Sequence, residues 1–224
     1  WASPLTQLLL SNVLMPVGIM ACLVGCIGAA VQRRVGRILA YAAMADLGVV
    51  VLGLALRRPG GVEAALLHLA YRNVAVVLVS LAASVLRRSF GDDAREALSG
   101  AFRRAPLAVI GLTIGGLSLA GLPPLGGFAS RFALYRLLAA DLPVWTSVIA
   151  LATMGPAWAL ARVVMAAMTA NPLPGSRREQ LLPGIVILML SAALLVAGLA
   201  PQWLVMVGAR WLNLLLQVSA IPGG

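Results

Sequence analysis

The fold depends on one stretch of the sequence, Gly121-Leu122-Pro123-Pro124-Leu125-Gly126-Gly127. It interrupts residues 105–139, a mostly apolar run that is long enough to cross a membrane as a helix. The two prolines remove two helical hydrogen-bond donors, and glycine has a low preference for helix. Because lipid cannot bind the freed backbone groups, the break must be buried in protein or face water. We therefore predict a transmembrane helix that is broken at Gly121, Pro123, Pro124, Gly126 and Gly127.

The composition of the whole chain is that of a membrane protein. Its 224 residues are 61% hydrophobic and 11% charged, whereas soluble domains are about 45–50% apolar and about 25% charged. We predict an all-α, polytopic bundle of transmembrane helices that forms a single domain over residues 1–224. The net charge of +10 is expected to lie in loops that fix the topology, not to bind nucleic acid.

Six stretches are long enough to cross a bilayer, which takes about 20 apolar residues per helix. They are residues 8–31, 38–56, 62–86, 105–139, 144–168 and 181–200, the fourth of which contains the break. The stretch 203–218 carries polar residues among apolar ones and is marginal in length. We expect it to form an interfacial or additional helix.

The predicted loops divide the arginines unequally between the two sides of the membrane. One side receives ten of them, namely Arg33, Arg34, Arg37, Arg87, Arg88, Arg95, Arg103, Arg104, Arg177 and Arg178. The opposite side receives Arg57 and Arg58. Because cytoplasmic loops carry an excess of positive residues, we predict an integral protein of a bacterial-type inner membrane. Its arginine-rich loops are then cytoplasmic, and both chain ends lie opposite.

Four ionisable residues of the predicted spans are candidates for a polar site: Asp46, His68, Arg72 and Arg131. His68 and Arg72 are four residues apart and share a helical face. A charge at this depth needs a partner or water, and either arginine would serve as the counter-ion of Asp46. Two interpretations remain open. The histidine and the carboxylate exchange protons, or they form a static hydrogen bond and a static ion pair.

The sequence contains no motif for redox or nucleotide chemistry. It has no phosphate-binding P-loop, no dinucleotide fingerprint after a strand, no cysteine cluster for iron–sulfur, and a single histidine. Cys22 and Cys26 lie one helical turn apart in an apolar span, so we expect packing residues. We predict no catalytic residue, metal site or cofactor in this chain, and we assign any redox chemistry to partners.

Three segments of the chain resemble, in order, the motifs of one membrane family. They are residues 36–48, GRILAYAAMADLG; residues 64–76, AALLHLAYRNVAV; and residues 118–131, SLAGLPPLGGFASR. The corresponding family stretches are K-R-L-L-A-Y-S-S-I-x-x-x-G, A-A-x-x-H-L-x-x-H-A-x-F-K-A-L-L-F and S-L-A-G-x-P-P-x-x-G-F-x-x-K. The family comprises the antiporter-like, proton-conducting membrane subunits of respiratory complex I and related hydrogenases, together with Mrp-type sodium/proton antiporter subunits.

The resemblance covers only the C-terminal half of the family, which is the second of two inverted five-helix repeats plus a closing helix. It implies a membrane-arm subunit of a complex I-like assembly, of the NADH–quinone oxidoreductase type found in respiratory electron transport. The redox cofactors and the quinone would lie in partner subunits. The implied partners are other membrane subunits, including a chain that supplies the N-terminal half, and lipid.

The residues that titrate in the family are mostly altered in this chain. The family's lysine in the second motif falls at Val76, its second histidine at Arg72, and its lysine after the broken helix at Arg131. Only His68 is retained. Arginine stays protonated and cannot hand over its proton. The resemblance therefore leaves one pathway for protons, through His68, Asp46 and water around the fixed cations Arg72 and Arg131.

Three functions remain open at this point. The first is an altered proton-translocation half-channel in a proton-translocating oxidoreductase. The second is a non-conducting scaffold subunit of the same assembly, which Val76 favours. The third is half of a cation/proton antiporter. A file of water past His68 would favour transport, whereas dry packing with arginines locked in salt bridges would favour the scaffold.

Overall fold

A computed structural model of the chain describes residues 4–56, 60–169 and 180–200. Within these ranges the chain forms eight α-helices. They are α1 Pro4–Val31, α2 Val35–Ala55, α3 Gly61–Phe90, α4 Pro106–Ala120, α5 Gly126–Ala139, α6 Pro143–Ala152, α7 Met154–Ala167 and α8 Leu181–Leu199. Two short 3₁₀ turns, Arg95–Leu98 and Ala101–Arg103, connect α3 to α4. The predicted helix at 203–218 lies outside the described residues.

The prediction of a polytopic helical bundle is confirmed. Five segments are long and apolar enough to cross a membrane: Asn12–Val31, Val35–Ala55, Gly61–Phe90, Pro143–Ala167 and Leu181–Leu199. The shorter apolar helix α4 and the helix α5 together occupy the predicted broken span. The chain is therefore an integral membrane protein with the broken helix among its spans.

The fifth predicted span, 144–168, is not one continuous helix. The structure divides it into α6 and α7, which meet at Thr153. Pro156 has no N–H to donate to the carbonyl group of Ala152 four residues earlier, so the helical ladder is interrupted there. Hydropathy does not report this interruption, because both halves are apolar.

Three connecting segments meet at one end of the bundle. The N–H of Val35 donates to the Asp93 carbonyl oxygen over 2.9 Å, which joins the α1–α2 and α3–α4 loops. The Gly100 N–H donates to the Ala166 carbonyl oxygen over 3.2 Å, which brings the end of α7 to the same place. The segments that carry the predicted cytoplasmic arginines Arg33 and Arg103 therefore lie on the same side of the bundle.

Helices α1 and α2 pack closely through small residues. A Cβ atom at Gly25 would lie 2.6 Å from the Tyr41 carbonyl oxygen, and one at Gly48 would lie 2.8 Å from the Cys22 nitrogen. Close approach through small residues is the usual way in which membrane helices associate. Cys22 and Cys26 are both buried in this contact and are not disulfide-bonded.

The break between α4 and α5 has a defined structure. Helix α4 ends in a Schellman motif, in which Gly121 adopts φ 72°. The Gly121 N–H donates to the Ser118 carbonyl oxygen and the Leu122 N–H to the Leu117 carbonyl oxygen, each over 3.0 Å. Helix α5 then begins at Gly126, and the Ser118 hydroxyl group accepts a hydrogen bond from the Gly127 N–H over 3.3 Å. The break is therefore a folded element that both helices share.

The conformation of Gly121 gives a first prediction. In Gly121→Ala the new Cβ atom would lie 2.6 Å from the Cδ atom of Arg131, in addition to the strain of a positive φ. Gly91→Ala is the matched control. Gly91 ends α3 with φ 79°, and no atom of the described residues lies within 4 Å of its Cβ position. We expect the control to cost about 1–2 kcal/mol and Gly121→Ala to cost more.

The measurement is the midpoint of thermal unfolding of the purified protein in detergent. We expect the midpoint of Gly121→Ala to lie below that of Gly91→Ala, which in turn lies below that of the unsubstituted protein. Equal midpoints for the two variants would show that the Gly121–Arg131 contact does not constrain the break.

Candidate functional site

The carboxylate of Asp46 lies at the centre of a buried cluster of charged side chains. Asp46 is half way along α2, and its side chain is 1% exposed. Its Oδ1 atom lies 3.1 Å from His68 Nε2 on α3 and also accepts a hydrogen bond from Arg131 Nη2 on α5. Its Oδ2 atom lies 3.6 Å from Arg72 Nε. The four ionisable residues that the sequence singles out therefore lie together, at the contact of three helices.

Arg131 completes the hydrogen bonding of the broken helix. Its Nη2 group donates to the Leu119 carbonyl oxygen over 2.8 Å, and its Nη1 group donates to the Ala120 carbonyl oxygen over 3.0 Å. In a continuous helix these two oxygens would accept from residues 123 and 124, but Pro123 and Pro124 have no N–H. A cation is also favourable at the C-terminal end of a helix. Arg131 thus joins α4 to α5 and both to Asp46.

His68 connects the Asp46 carboxylate to α5. Its ring is buried, with 1% of the side chain exposed, and its Nδ1 atom lies 2.8 Å from the Ser130 hydroxyl oxygen. An ionised carboxylate can only accept hydrogen bonds, so we assign the ring proton to Nε2, which then donates to Asp46. In the neutral ring, Nδ1 is then the acceptor of a hydrogen bond from the Ser130 hydroxyl group. His68 therefore contacts a proton donor and a proton acceptor at opposite ends of its ring.

Arg72 lies at the edge of the cluster. Its side chain is 16% exposed, against 4% for the side chain of Arg131. It donates to the Ala43 carbonyl oxygen over 3.3 Å and to the Asn73 side-chain oxygen over 3.5 Å. With Asp46 ionised, the cluster holds one negative charge and the two permanent positive charges of Arg72 and Arg131.

Three other charged residues of the predicted spans, all in the described part of the chain, make no ion pair with the cluster. Arg162 on α7 donates to the carbonyl oxygens of Ala30 and Gln32 at the end of α1, the latter over 3.4 Å. Glu63 is exposed in the first turn of α3, and Arg136 is exposed on α5. Among the residues that the structure describes, no group of histidine, cysteine and carboxylate side chains is arranged to hold a metal ion.

Two serines of the site were not predicted from the sequence. Ser130 contacts His68, and the Ser118 hydroxyl group caps the first turn of α5. Their side chains are buried, at 1% and 2% exposure. Only the positions of these two serines in the sequence could have indicated their roles. Ser130 immediately precedes Arg131, and Ser118 lies three residues before the glycine that ends α4.

The charge balance of the cluster gives a second prediction, for Asp46→Asn. This change leaves the guanidinium groups of Arg72 and Arg131 without their acidic partner. Loss of one member of a buried ion pair costs about 3–5 kcal/mol, so we expect a clear fall in the thermal unfolding midpoint.

Asp92→Asn is the control, because it also removes one negative charge. Asp92 lies in the α3–α4 loop, where the Asp93 N–H donates to its carboxylate and lowers its pKa, so that Asp92 is ionised at neutral pH. It pairs with Arg34 over 3.6 Å at the surface, and such exposed pairs add little stability. An equal effect of the two changes would contradict the assignment of Asp46 as the centre of the cluster.

Two curated relatives align with most of this chain. NADH-quinone oxidoreductase subunit N 2 of Acidobacterium capsulatum is 30% identical over 210 residues, which are 90% of this chain and 41% of that protein. NADH-quinone oxidoreductase subunit N of Mycobacteroides abscessus is 30% identical over 207 residues, which are 85% of this chain and 38% of that protein. The chain thus spans about two fifths of the length of these curated relatives.

Solved structures share the fold. A chain of respiratory complex I from Thermus thermophilus with bound Aureothin superposes with a TM-score of 0.70 at 25% identity, over 85% of this chain and 44% of that one. A chain of the Mrp complex from Dietzia sp. DQ12-45-1b gives a TM-score of 0.78 at 21% identity, over 87% and 46%. At 21% identity, the similarity to the Mrp chain shows a shared fold and nothing further.

A family match covers the helices that build the site. Residues 4–155, from α1 to the start of α7, match the family described as NADH:quinone oxidoreductase/Mrp antiporter, transmembrane. This range includes Asp46, His68, Arg72 and Arg131, and it extends over more than half of the chain. The resemblance seen in the three sequence motifs is therefore confirmed. The chain belongs to the NADH:quinone oxidoreductase/Mrp antiporter membrane family.

Proposed function

We propose that this chain serves in the membrane arm of a complex I-like assembly and contributes an altered half-channel for protons. The family and the names of the relatives support the first part. One observation carries the second part. The buried His68 ring bridges the Ser130 hydroxyl group and the Asp46 carboxylate beside a broken transmembrane helix.

His68 and Asp46 are the proton-exchanging pair in this proposal. A proton that arrives through Ser130 binds to His68 Nδ1, and the ring then gives its Nε2 proton to Asp46 Oδ1. Histidine suits this relay because its ordinary pKa lies close to neutral pH. Arg72 and Arg131 stay protonated throughout. Their charges disfavour a further positive charge on the cluster, so Asp46 then releases the proton to water. The ring returns to its Nε2–H form before the next transfer.

The rest of the assembly holds the redox chemistry in this proposal. Redox cofactors and quinone lie in partner subunits, because no cofactor motif is present in the sequence. The partners in this proposal are other membrane subunits. The membrane is a bacterial-type inner membrane, and the exposed Arg33, Arg37, Arg87 and Arg88 lie on its cytoplasmic side.

A non-conducting structural role is the second candidate, and specific contacts favour it. Both cations of the cluster pair with Asp46, which is the arrangement of a static buried ion pair. Val76, at the position of the family's lysine, packs against an apolar core cluster and carries no proton. The third function, half of a cation/proton antiporter, stays a prediction, because the likeness to the Mrp complex shows the fold alone.

Two substitutions of His68 separate the first two functions. His68→Gln keeps hydrogen-bonding groups but cannot take up a proton near neutral pH, whereas His68→Leu removes both properties. If protons pass through His68, both variants lower the number of protons pumped per electron while electron transfer continues. The measurement is proton uptake by the assembly reconstituted in vesicles, together with its rate of electron transfer.

Ser84→Leu is the control, since Ser84 is an exposed residue of the same helix, far from the cluster. We expect it to pump normally. Normal pumping by His68→Gln would reject the relay. In that case, a lower unfolding midpoint for His68→Leu but not for His68→Gln would support the structural role.

A further inference from the structure

The Ser130 hydroxyl group has more hydrogen-bond acceptors within reach than its single proton can serve. Its oxygen lies 2.8 Å from His68 Nδ1, 3.3 Å from the Gly127 carbonyl oxygen and 3.4 Å from the Gly126 carbonyl oxygen. A hydroxyl group has one proton to donate and two lone pairs that accept. The proton therefore points either to the histidine or to the backbone of α5, and a rotation about the Cβ–Oγ bond exchanges the two orientations.

The backbone of α5 can accept this proton without losing a hydrogen bond of its own. Helix α5 begins at Gly126, so the carbonyl oxygens of Gly126 and Gly127 accept from the N–H groups of Ser130 and Arg131, four residues later. Each carbonyl oxygen keeps a second lone pair. A helical serine often donates to the carbonyl group three or four residues before it. Both orientations of the hydroxyl group are therefore compatible with the helix.

The other end of the histidine ring faces an acceptor in either charge state. The Asp46 carboxylate lies 3.1 Å from His68 Nε2, and it accepts from Nε2–H in the neutral and in the doubly protonated ring alike. The other charges of the cluster, Arg131 on α5 and Arg72 on α3, are permanent. Helices α4 and α8, which also pack on α3, carry no ionisable side chain. The two charge states of the ring therefore differ in their hydrogen bonding only at Nδ1.

Burial makes the partner at Nδ1 decisive. The side chains of His68 and Ser130 are each 1% exposed. A buried polar group without a hydrogen-bond partner costs free energy, and the cost is larger for a charged group. A backbone carbonyl group at Nδ1 would suit only the charged ring, whereas a backbone N–H would suit only the neutral ring. A hydroxyl group suits both.

We propose that Ser130 is a positioning residue that hydrogen-bonds His68 in both charge states, through a bond that reverses its direction when the ring gains a proton. The hydroxyl group donates to Nδ1 of the neutral ring. In the charged ring Nδ1–H donates to Ser130 Oγ, and the hydroxyl group turns to the carbonyl oxygen of Gly127 or Gly126. The added proton forms the N–H bond at Nδ1, and the serine keeps one proton and stays neutral. The proposal rests on the proposed function only in requiring that His68 titrates.

The test is ¹⁵N NMR spectroscopy of the histidine-labelled protein, purified in detergent. The chemical shift of a ring nitrogen reports both its protonation and its hydrogen bond. The signals that disappear in His68→Gln are those of His68. Spectra over the range of pH in which the protein stays folded give the Nδ1 signal of the neutral and of the charged ring. We expect Ser130→Ala to move the Nδ1 signal in both charge states.

Three further variants isolate the hydroxyl group. Ser130→Thr keeps a hydroxyl group that can reach the same carbonyl groups, and it should retain the original Nδ1 signals. Ser130→Val has nearly the shape of Ser130→Thr without the hydroxyl group, and it should behave as Ser130→Ala does. Ser84→Ala is the control, because it removes a hydroxyl group that donates to the Leu81 carbonyl oxygen over 2.8 Å on the exposed side of α3. It should leave the signals of His68 unchanged.

Two results would overturn the proposal. A change of the Nδ1 signal in the neutral ring alone would show that Ser130 donates and never accepts. Unchanged Nδ1 signals in Ser130→Ala would show that the hydroxyl group does not hold the ring in either state. Because alanine is smaller than serine and favours helix, Ser130→Ala gives this answer even where Ser130→Thr or Ser130→Val fails to fold.

The outcome is distinguishable from that of the half-channel. Changed Nδ1 signals in both charge states, together with normal pumping by His68→Gln, would support the reversing bond and reject the relay. Impaired pumping by His68→Gln, together with an unchanged signal of the charged ring in Ser130→Ala, would support the relay and reject the reversing bond. A ring that keeps a single proton over the whole range of pH would reject both.

Discussion

The site depends on two carbonyl groups that the chain's own prolines leave without donors. Pro123 and Pro124 cannot donate to the carbonyl oxygens of Leu119 and Ala120, and lipid cannot donate in their place. The guanidinium group of Arg131 donates to both oxygens and to Asp46 at once. Lysine carries its charge at a single nitrogen and lacks this planar fork. A break in a membrane helix, a buried cation and a buried anion therefore form one structural unit.

This unit both limits and permits proton chemistry. Its arginines are permanent charges, so they hold Asp46 in place and cannot exchange protons. The ionised carboxylate between these two charges accepts a hydrogen bond from His68. Proton movement, if it occurs in this chain, is thereby confined to the short line from Ser130 through His68 to Asp46. The structural role and the half-channel use the same contacts, and they differ only in whether the histidine titrates.

The sequence predicted what hydropathy and backbone chemistry control locally, and it could not predict what depends on helix rotation. The spans and the break at Gly121 follow from apolar length and from proline, so they were predictable. The counter-ion of Asp46 remained open between Arg72 and Arg131, because only packing decides which face of α3 or α5 meets α2; both arginines proved to be partners. The interruption at Thr153 was missed, although the missing donor of Pro156 is as visible in the sequence as those of the paired prolines.

A double-mutant cycle between Asp46 and Arg131 tests the coupling most directly. The variants are Asp46→Asn, Arg131→Met and the two combined, and the quantity measured is the free energy of unfolding in detergent. If the two side chains form one unit, the loss in the double variant should fall short of the sum of the two single losses by more than about 1 kcal/mol. Losses that add to within about 0.5 kcal/mol would mean that the carboxylate and the guanidinium group stabilise the fold independently, which would contradict this structure of the site.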